Sequence, residues 1–171
     1  MGTFKIVKGD IVNLSVDVIV NAANSQLARG GGVCGAIHAA AGPLMAEECE
    51  DLAPCPTGQC RMTGAYNLRF CKKVIHAVGP IWHGGGFHEA ELLKSAYQSS
   101  MDMAKEAGLT SIAFPFISSN IYGYPKPECA RVALEAIMEK LVDFDGEVIM
   151  CAFDESDYRL FLNTYKELMQ G

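Results

Sequence analysis

Long apolar runs are missing from this 171-residue chain. None approaches the ~18 residues that a membrane-crossing helix needs, which excludes a helical span. A basic excess is missing too: 14 Lys and Arg stand against 20 Asp and Glu, a formal charge of −6. Proteins that grip nucleic-acid backbones carry the opposite balance, so no nucleic-acid partner is expected. A phosphate-bearing ligand stays admissible, because backbone amides bind phosphate without any lysine. Histidine is scarce and no C-x-x-C pair occurs; Cys55 and Cys60, with four residues between, come nearest. No metal and no cofactor is therefore expected. G-x-S-x-G and H-E-x-x-H are both absent, which removes the serine-elbow and zincin chemistries. The opening MGTFKIVKGD has no apolar signal core, and Ile6 stands where a myristoylation motif needs Ser or Thr. The chain is expected in the cytoplasm. Seven cysteines, Cys34, Cys49, Cys55, Cys60, Cys71, Cys129 and Cys151, are an odd number without pairing pattern and read as buried free thiols.

What is present is an alternation of apolar runs and helical stretches. No linker, repeat or low-complexity tract interrupts it, so residues 1–171 are expected to form one domain. Phe4 to Val7 reads as an edge strand followed by a Lys8-Gly9-Asp10 turn. Val16 to Val20, Val74 to Ile81, Ser111 to Ile117 and Glu147 to Phe153 read as strands, with Pro115 near the end of its own. Val33 to Leu52 reads as one helix, Glu89 to Ala107 as a second closed by Gly108, Glu128 to Leu141 as a third opened by Pro125-Lys126-Pro127, and Tyr158 to Met169 as a fourth. The class is α/β, three layers α/β/α about a mixed, mostly parallel central sheet. Ligands of such sheets gather at the carboxyl ends of the strands, so the loops after the strands carry the information.

Three segments occupy those loops. Asn21-Ala22-Ala23-Asn24 follows a buried strand, and its amides either cap the turn or face the crevice. Gly30-Gly31-Gly32-Val33-Cys34-Gly35 leads into a helix. It matches G-x-G-x-x-G literally but lies too far beyond its strand for a dinucleotide fold, and it lacks the Gly-Lys-Ser/Thr of a P-loop. Its physical content is an approach for backbone N–H groups beside a helix N-terminus, which favours an anion. Ser118-Ser119-Asn120-Ile121-Tyr122-Gly123-Tyr124-Pro125 is a second nest of this kind, with Asn120 able to take φ > 0. Tyr122 or Tyr124 packs on a sugar or belongs to the core. Asp10 is a turn former or an acceptor for a base amine. Phe153 is core or a stacking surface for a purine. His38 packs or lines the crevice, and His76 is buried mid-strand.

The same segments resemble the macrodomain family, in its MacroD-type branch of ADP-ribosyl hydrolases and O-acetyl-ADP-ribose deacetylases. The resemblance runs over nearly the whole chain: Gly9-Asp10-Ile11, VDVIVNAAN, GGGV-x-GAIH-x-AAGP, Cys55-Pro56-Thr57-Gly58, VIHAVGP, AFPFIS, YGYP and CAFDE. It implies ADP-ribose as ligand. Asp10 would take the adenine amine near the Ile11 amide, and Phe153 would stack on adenine. Gly31, Gly32, Val33 and Cys34, with Ser118, Ser119, Asn120, Ile121 and Tyr122, would enclose the diphosphate and distal ribose. Asn24 would bind that ribose beside the reacting carbon.

Two positions depart from the family pattern. Cys34 stands where an aspartate orients the attacking water, and an ordinary thiol is a poor base at pH 7. Macrodomains without that aspartate hydrolyse by letting a substrate phosphate and the Asn position the water. Asn120 stands where the loop has glycine, narrowing the pocket. The implied activity is hydrolysis of an ester at the distal ribose of mono-ADP-ribosylated proteins or O-acetyl-ADP-ribose, with Asn24 and Cys34 the catalytic candidates. The alternative is a reader that binds ADP-ribose without turnover. A monomer is expected, and Cys34, as an exposed thiol at a helix N-terminus, is where redox sensitivity would be sought.

Overall fold

The computed structural model describes residues 1–171. Six strands, β1 (Thr3–Lys8), β2 (Val18–Ala23), β3 (Cys60–Gly64), β4 (Lys73–Val78), β5 (Ser111–Phe114) and β6 (Glu147–Ala152), form one sheet in the order β1-β6-β5-β2-β4-β3. All neighbours are parallel except β3, which runs antiparallel to β4. The sheet is thus mixed and mostly parallel, and β1 is an edge strand.

Strand alternation divides the side chains between two cores. From β2, Val18 and Val20 enter one and Ile19 and Ala23 the other; from β4, Ile75 and Ala77 oppose Val74 and Val78. The first core is covered by α3 (Glu89–Glu106), α4 (Lys126–Leu141) and α5 (Glu155–Gln170), through Leu93, Tyr97, Met101, Leu134 and Phe161. The second is covered by α1 (Gly32–Ala41) and α2 (Pro43–Leu52), through Ile37, Met45 and Cys49. These are the three layers read from the sequence. No helix is long and apolar enough to cross a membrane.

Several boundaries differ from the sequence reading. The single helix of residues 33–52 is two helices, because Gly42 takes φ +85° and Pro43 opens α2 at its first turn. Strand β3 has no counterpart among the expected strands: its Arg61 and Thr63 interrupt any apolar run, and it is held as an edge by β4 alone. Strand β2 runs on through Asn21 to Ala23, so Asn21 lies in the strand and not after it. The Val74 strand stops at Val78, the Ser111 strand at Phe114, and the Glu147 strand at Ala152. Helix α5 starts three residues earlier than Tyr158, where Asp154 accepts the Asp157 N–H at 2.8 Å as its N-cap. Gly108 ends α3 as read: it takes φ +73° in a Schellman arrangement, Gly108 N–H to Lys105 C=O at 3.0 Å and Leu109 N–H to Ala104 C=O at 2.9 Å.

Candidate functional site

Strands β2 and β5 are adjacent and parallel, and the helices that follow them, α1 and α4, cover opposite faces of the sheet. The two loops must therefore part at the carboxyl edge and leave a crevice between them. A cavity of about 480 Å³ occupies it, lined by Ala22–Asn24, Gly30–Cys34, Gly79 and Phe116–Tyr122. No Asp, Glu, Lys, Arg or His is among the lining residues.

The first wall is the loop after β2. Asn24 turns back on it: its Oδ1 accepts from the N–H groups of Gln26 and Ala28, each at 3.1 Å, and its Nδ2 donates to the Ala28 carbonyl at 2.9 Å. The turn-capping reading of Asn24 thus holds, and its second Nδ2 hydrogen remains for the cavity. Gly35 must be glycine, since a Cβ there would lie 2.8 Å from the Gly30 carbonyl oxygen. Helix α1 then begins at Gly32 with no side chain capping it. Its first-turn amides, Gly32, Val33 and Cys34, have no intrahelical acceptor and sit in the cavity wall, where an anion is favoured.

The second wall is the loop after β5. Its left-handed residues are Ser118 at φ +68° and Gly123 at +71°; Asn120, expected to supply that conformation, does not. The reversal falls at the loop's two ends, where Tyr124 N–H meets the Ser118 carbonyl at 3.0 Å, while Asn120 lies exposed at the tip. Ser118 is buried and its Oγ has no partner in the protein. The tyrosines separate: Tyr124 is core, its ring 4.5 Å from that of Trp82, and Tyr122 lines the cavity. Exposed Ile121 reaches back to Gly31, so the two walls nearly meet over the opening.

A third segment, which the sequence offers only as the end of the Val74–Ile81 strand, props the second wall. A Cβ on Gly79 would fall 2.3 Å from Ser118 Oγ and 2.4 Å from Ile117 Cγ2. Trp82 N–H donates to the Tyr122 carbonyl at 2.8 Å. Beyond it, buried Glu89 accepts the N–H groups of His83, Gly85 and Phe87 at 2.9, 2.9 and 2.6 Å. Burial alone would push the Glu89 carboxyl up, but these amides hold it down at about 2. The signal available was Gly-Pro directly after a buried strand, followed by three glycines and an acid.

Behind the first wall lies a buried polar group. Asn21 Nδ2 is 3.0 Å from His76 Nδ1 across the β2–β4 register and 3.6 Å from Cys34 Sγ. His76 also meets Thr63 Oγ1 at 2.9 Å and Cys49 Sγ at 3.7 Å. Burial pushes His76 down to about 4, so it is neutral at pH 7, and burial with nearby Arg29 also lowers His38. Cys34 is only 5% exposed, which corrects the expectation of an exposed thiol: its Sγ turns inward toward Asn21 and the Ala28 carbonyl and lies beside Gly30. Burial likewise pushes Cys49 and Cys151 up to about 11.

Asp10, Ile11 and Phe153 lie outside the cavity, at the carboxyl ends of β1 and β6. Gly9 N–H to Ala152 C=O, 2.9 Å, ties those ends together. Asp10 Oδ1 caps the short turn Ile11–Asn13 by accepting from Val12 N–H at 3.1 Å. Ile11 is buried, and Phe153, directly after β6, is 78% exposed rather than core. Since β6 adjoins β5, this shelf continues the edge that carries the cavity, one to two strand spacings of ~4.8 Å away.

Comparison with known proteins points one way. The family model for the macro domain matches residues 20–133. The chain is 48% identical over 157 residues to a macro domain-containing protein of Chlorobaculum tepidum, covering 91% of each. It is 44% identical over 162 residues to an O-acetyl-ADP-ribose deacetylase of Enterobacter cloacae, covering 91% of this chain and 89% of that one. The solved structure of an Oceanobacillus iheyensis macrodomain with ADP superposes with a TM-score of 0.94 at 39% identity, covering 98% of this chain and 92% of that one.

Proposed function

The chain belongs to the macro domain family, and from that premise we propose that it binds ADP-ribose and hydrolyses an ester at the distal ribose, in mono-ADP-ribosylated proteins or O-acetyl-ADP-ribose. The observation that carries this reading is the uncharged cavity between an uncapped helix N-terminus and a second, tightly turned loop. Free amides on one side and the unpartnered Ser118 hydroxyl on the other suit a diphosphate, which needs donors more than lysines. Adenine then falls on the neighbouring shelf, stacked on Phe153 with Asp10 facing its amine, and Ile11 offers a backbone amide. The distal ribose comes to Asn24, between the walls.

The chemistry follows from what the wall lacks. With no carboxylate or imidazole in the cavity, the proton of the attacking water passes to a substrate phosphate oxygen, and Asn24 orients that water by its free Nδ2 hydrogen. Cys34 contributes its amide and the packing of the wall. The same absence favours the second reading, a reader that binds ADP-ribose without turnover.

Calorimetric titration with ADP-ribose tests the binding reading. One-to-one binding, weakened in a Gly31→Val protein whose side chain enters the gap toward Ile121, is expected. Binding unaffected by that change would place the ligand elsewhere.

A further inference from the structure

With the Asn21 amide oriented as found, which leaves its Oδ1 without a partner, the contacts behind the first wall are met by one consistent arrangement of protons. Thr63 Oγ1 donates its single hydrogen to the Gly64 carbonyl at 3.0 Å, a group that can only accept. Toward His76 Nε2 at 2.9 Å, Thr63 is then the acceptor, and the imidazole carries its proton on Nε2. In this arrangement His76 Nδ1 accepts, with one hydrogen of Asn21 Nδ2 pointing to it at 3.0 Å and the other to Cys34 Sγ at 3.6 Å. The thiol turns its own hydrogen toward the Ala28 carbonyl, 3.9 Å away, and that carbonyl also takes Asn24 Nδ2 at 2.9 Å. An unbroken sequence of contacts therefore joins edge strand β3 to the amide in the cavity wall. Asn21 and His76 are each at most 1% exposed, so no solvent competes for these groups.

We propose that Asn21 is a positioning residue for the cavity: its amide, fixed by His76, holds the Cys34 thiol and, through the shared Ala28 carbonyl, sets the direction of Asn24. This rests on the reading of the cavity as the ADP-ribose site. It also gives Cys34 a role, as a spacer that transmits position.

The near-isosteric Asn21→Asp removes both N–H donors, and nitrogen-15 spectra of the histidine rings and side-chain amides, recorded without ligand, report the result. His76 is expected in the Nε2–H form in the wild type and out of it in Asn21→Asp, with the Asn24 amide pair displaced. Cys34→Ala should displace the same pair, and the double variant should add nothing further. On the ester substrate, kcat is expected to fall about tenfold or more, as for loss of an orienting partner, with KM little changed. Unmoved Asn24 resonances in Asn21→Asp, or effects of the two variants that add, would overturn the proposal. Should Asn21→Asp not fold, Thr63→Val must displace the Asn24 pair and Thr63→Ser must restore it; a Thr63→Val protein with wild-type resonances is equally fatal. Because the spectra need no ligand, a failure to bind ADP-ribose would sink the functional reading and leave this test standing.

Discussion

The two walls of the cavity are built by different means. The loop after β2 is held by side-chain amides, Asn24 folding its own turn and Asn21 bracing it from behind. The loop after β5 has few side-chain bonds of its own. It keeps its shape through the left-handed Ser118 and through a neighbouring segment that leaves no room at Gly79 and clasps Tyr122 by a backbone amide. A wall held by directional amides is set by chemistry and answers to isosteric substitutions. A wall held by close approach is set by volume and answers to a single methyl group.

The largest effect expected from this contrast is Gly79→Ala. A Cβ 2.3 Å from Ser118 Oγ cannot be accommodated without moving the second wall, at a cost toward the upper end of the about 1–3 kcal/mol typical of overpacking. Thermal unfolding and ADP-ribose titration should both register it. Wild-type melting together with wild-type affinity would show that the second wall is not set by contact.

Acid separates the walls next. His76, behind the first, titrates at about 4 in the fold against about 6.5 unfolded. A lowered value means the unfolded chain binds the extra proton, so above pH ~6.5 the group has no effect, and a penalty that reaches on the order of 3 kcal/mol builds up as pH falls toward 4. Glu89, behind the second, is held at about 2 against about 4.3 unfolded, so its contribution survives to pH ~4 and is lost only below that. Denaturant unfolding from pH 7 to 2 should show two steps, the lower one reduced in Glu89→Gln, the rest of it coming from other carboxylates held low, such as Asp17 and Glu48. A single loss common to wild type and Glu89→Gln would erase the distinction.

The smallest structural effect belongs to the shelf. Phe153 is exposed, so Phe153→Ala should leave stability within about 0.5 kcal/mol. It should still weaken ADP-ribose binding by about 1–3 kcal/mol, the range for removal of an aromatic stacked on a base. Undiminished affinity would move adenine off the shelf.

Most of the frame could be read from residues alone, because the apolar runs VDVIV, VIHAV and EVIMCA mark buried parallel strands and the stretches between them repeat at helical period. What escaped was decided by tertiary partners. Strand β3 is polar enough to pass for a loop until β4 pairs with it. The break at Gly42-Pro43 was written in a Gly-Pro step but hidden by apolar residues continuing on both sides. For the site, the glycine loop and the serine–tyrosine loop were legible as the places where backbone amides face a ligand. Gly79 and Glu89 were not, since their importance lies in what a side chain would strike or gather across the fold. Asn21 looked like a loop residue, because the end of a strand has no periodicity of its own.

The most direct test is release of ADP-ribose from a glutamate-linked mono-ADP-ribosylated protein, compared among wild type, Asn24→Ala and Cys34→Asp. The account predicts turnover by the wild type that falls about 10²-fold or more in Asn24→Ala, as for a lost positioned catalytic group. Release that appears only in Cys34→Asp would contradict it, and would make the natural protein a reader of ADP-ribose.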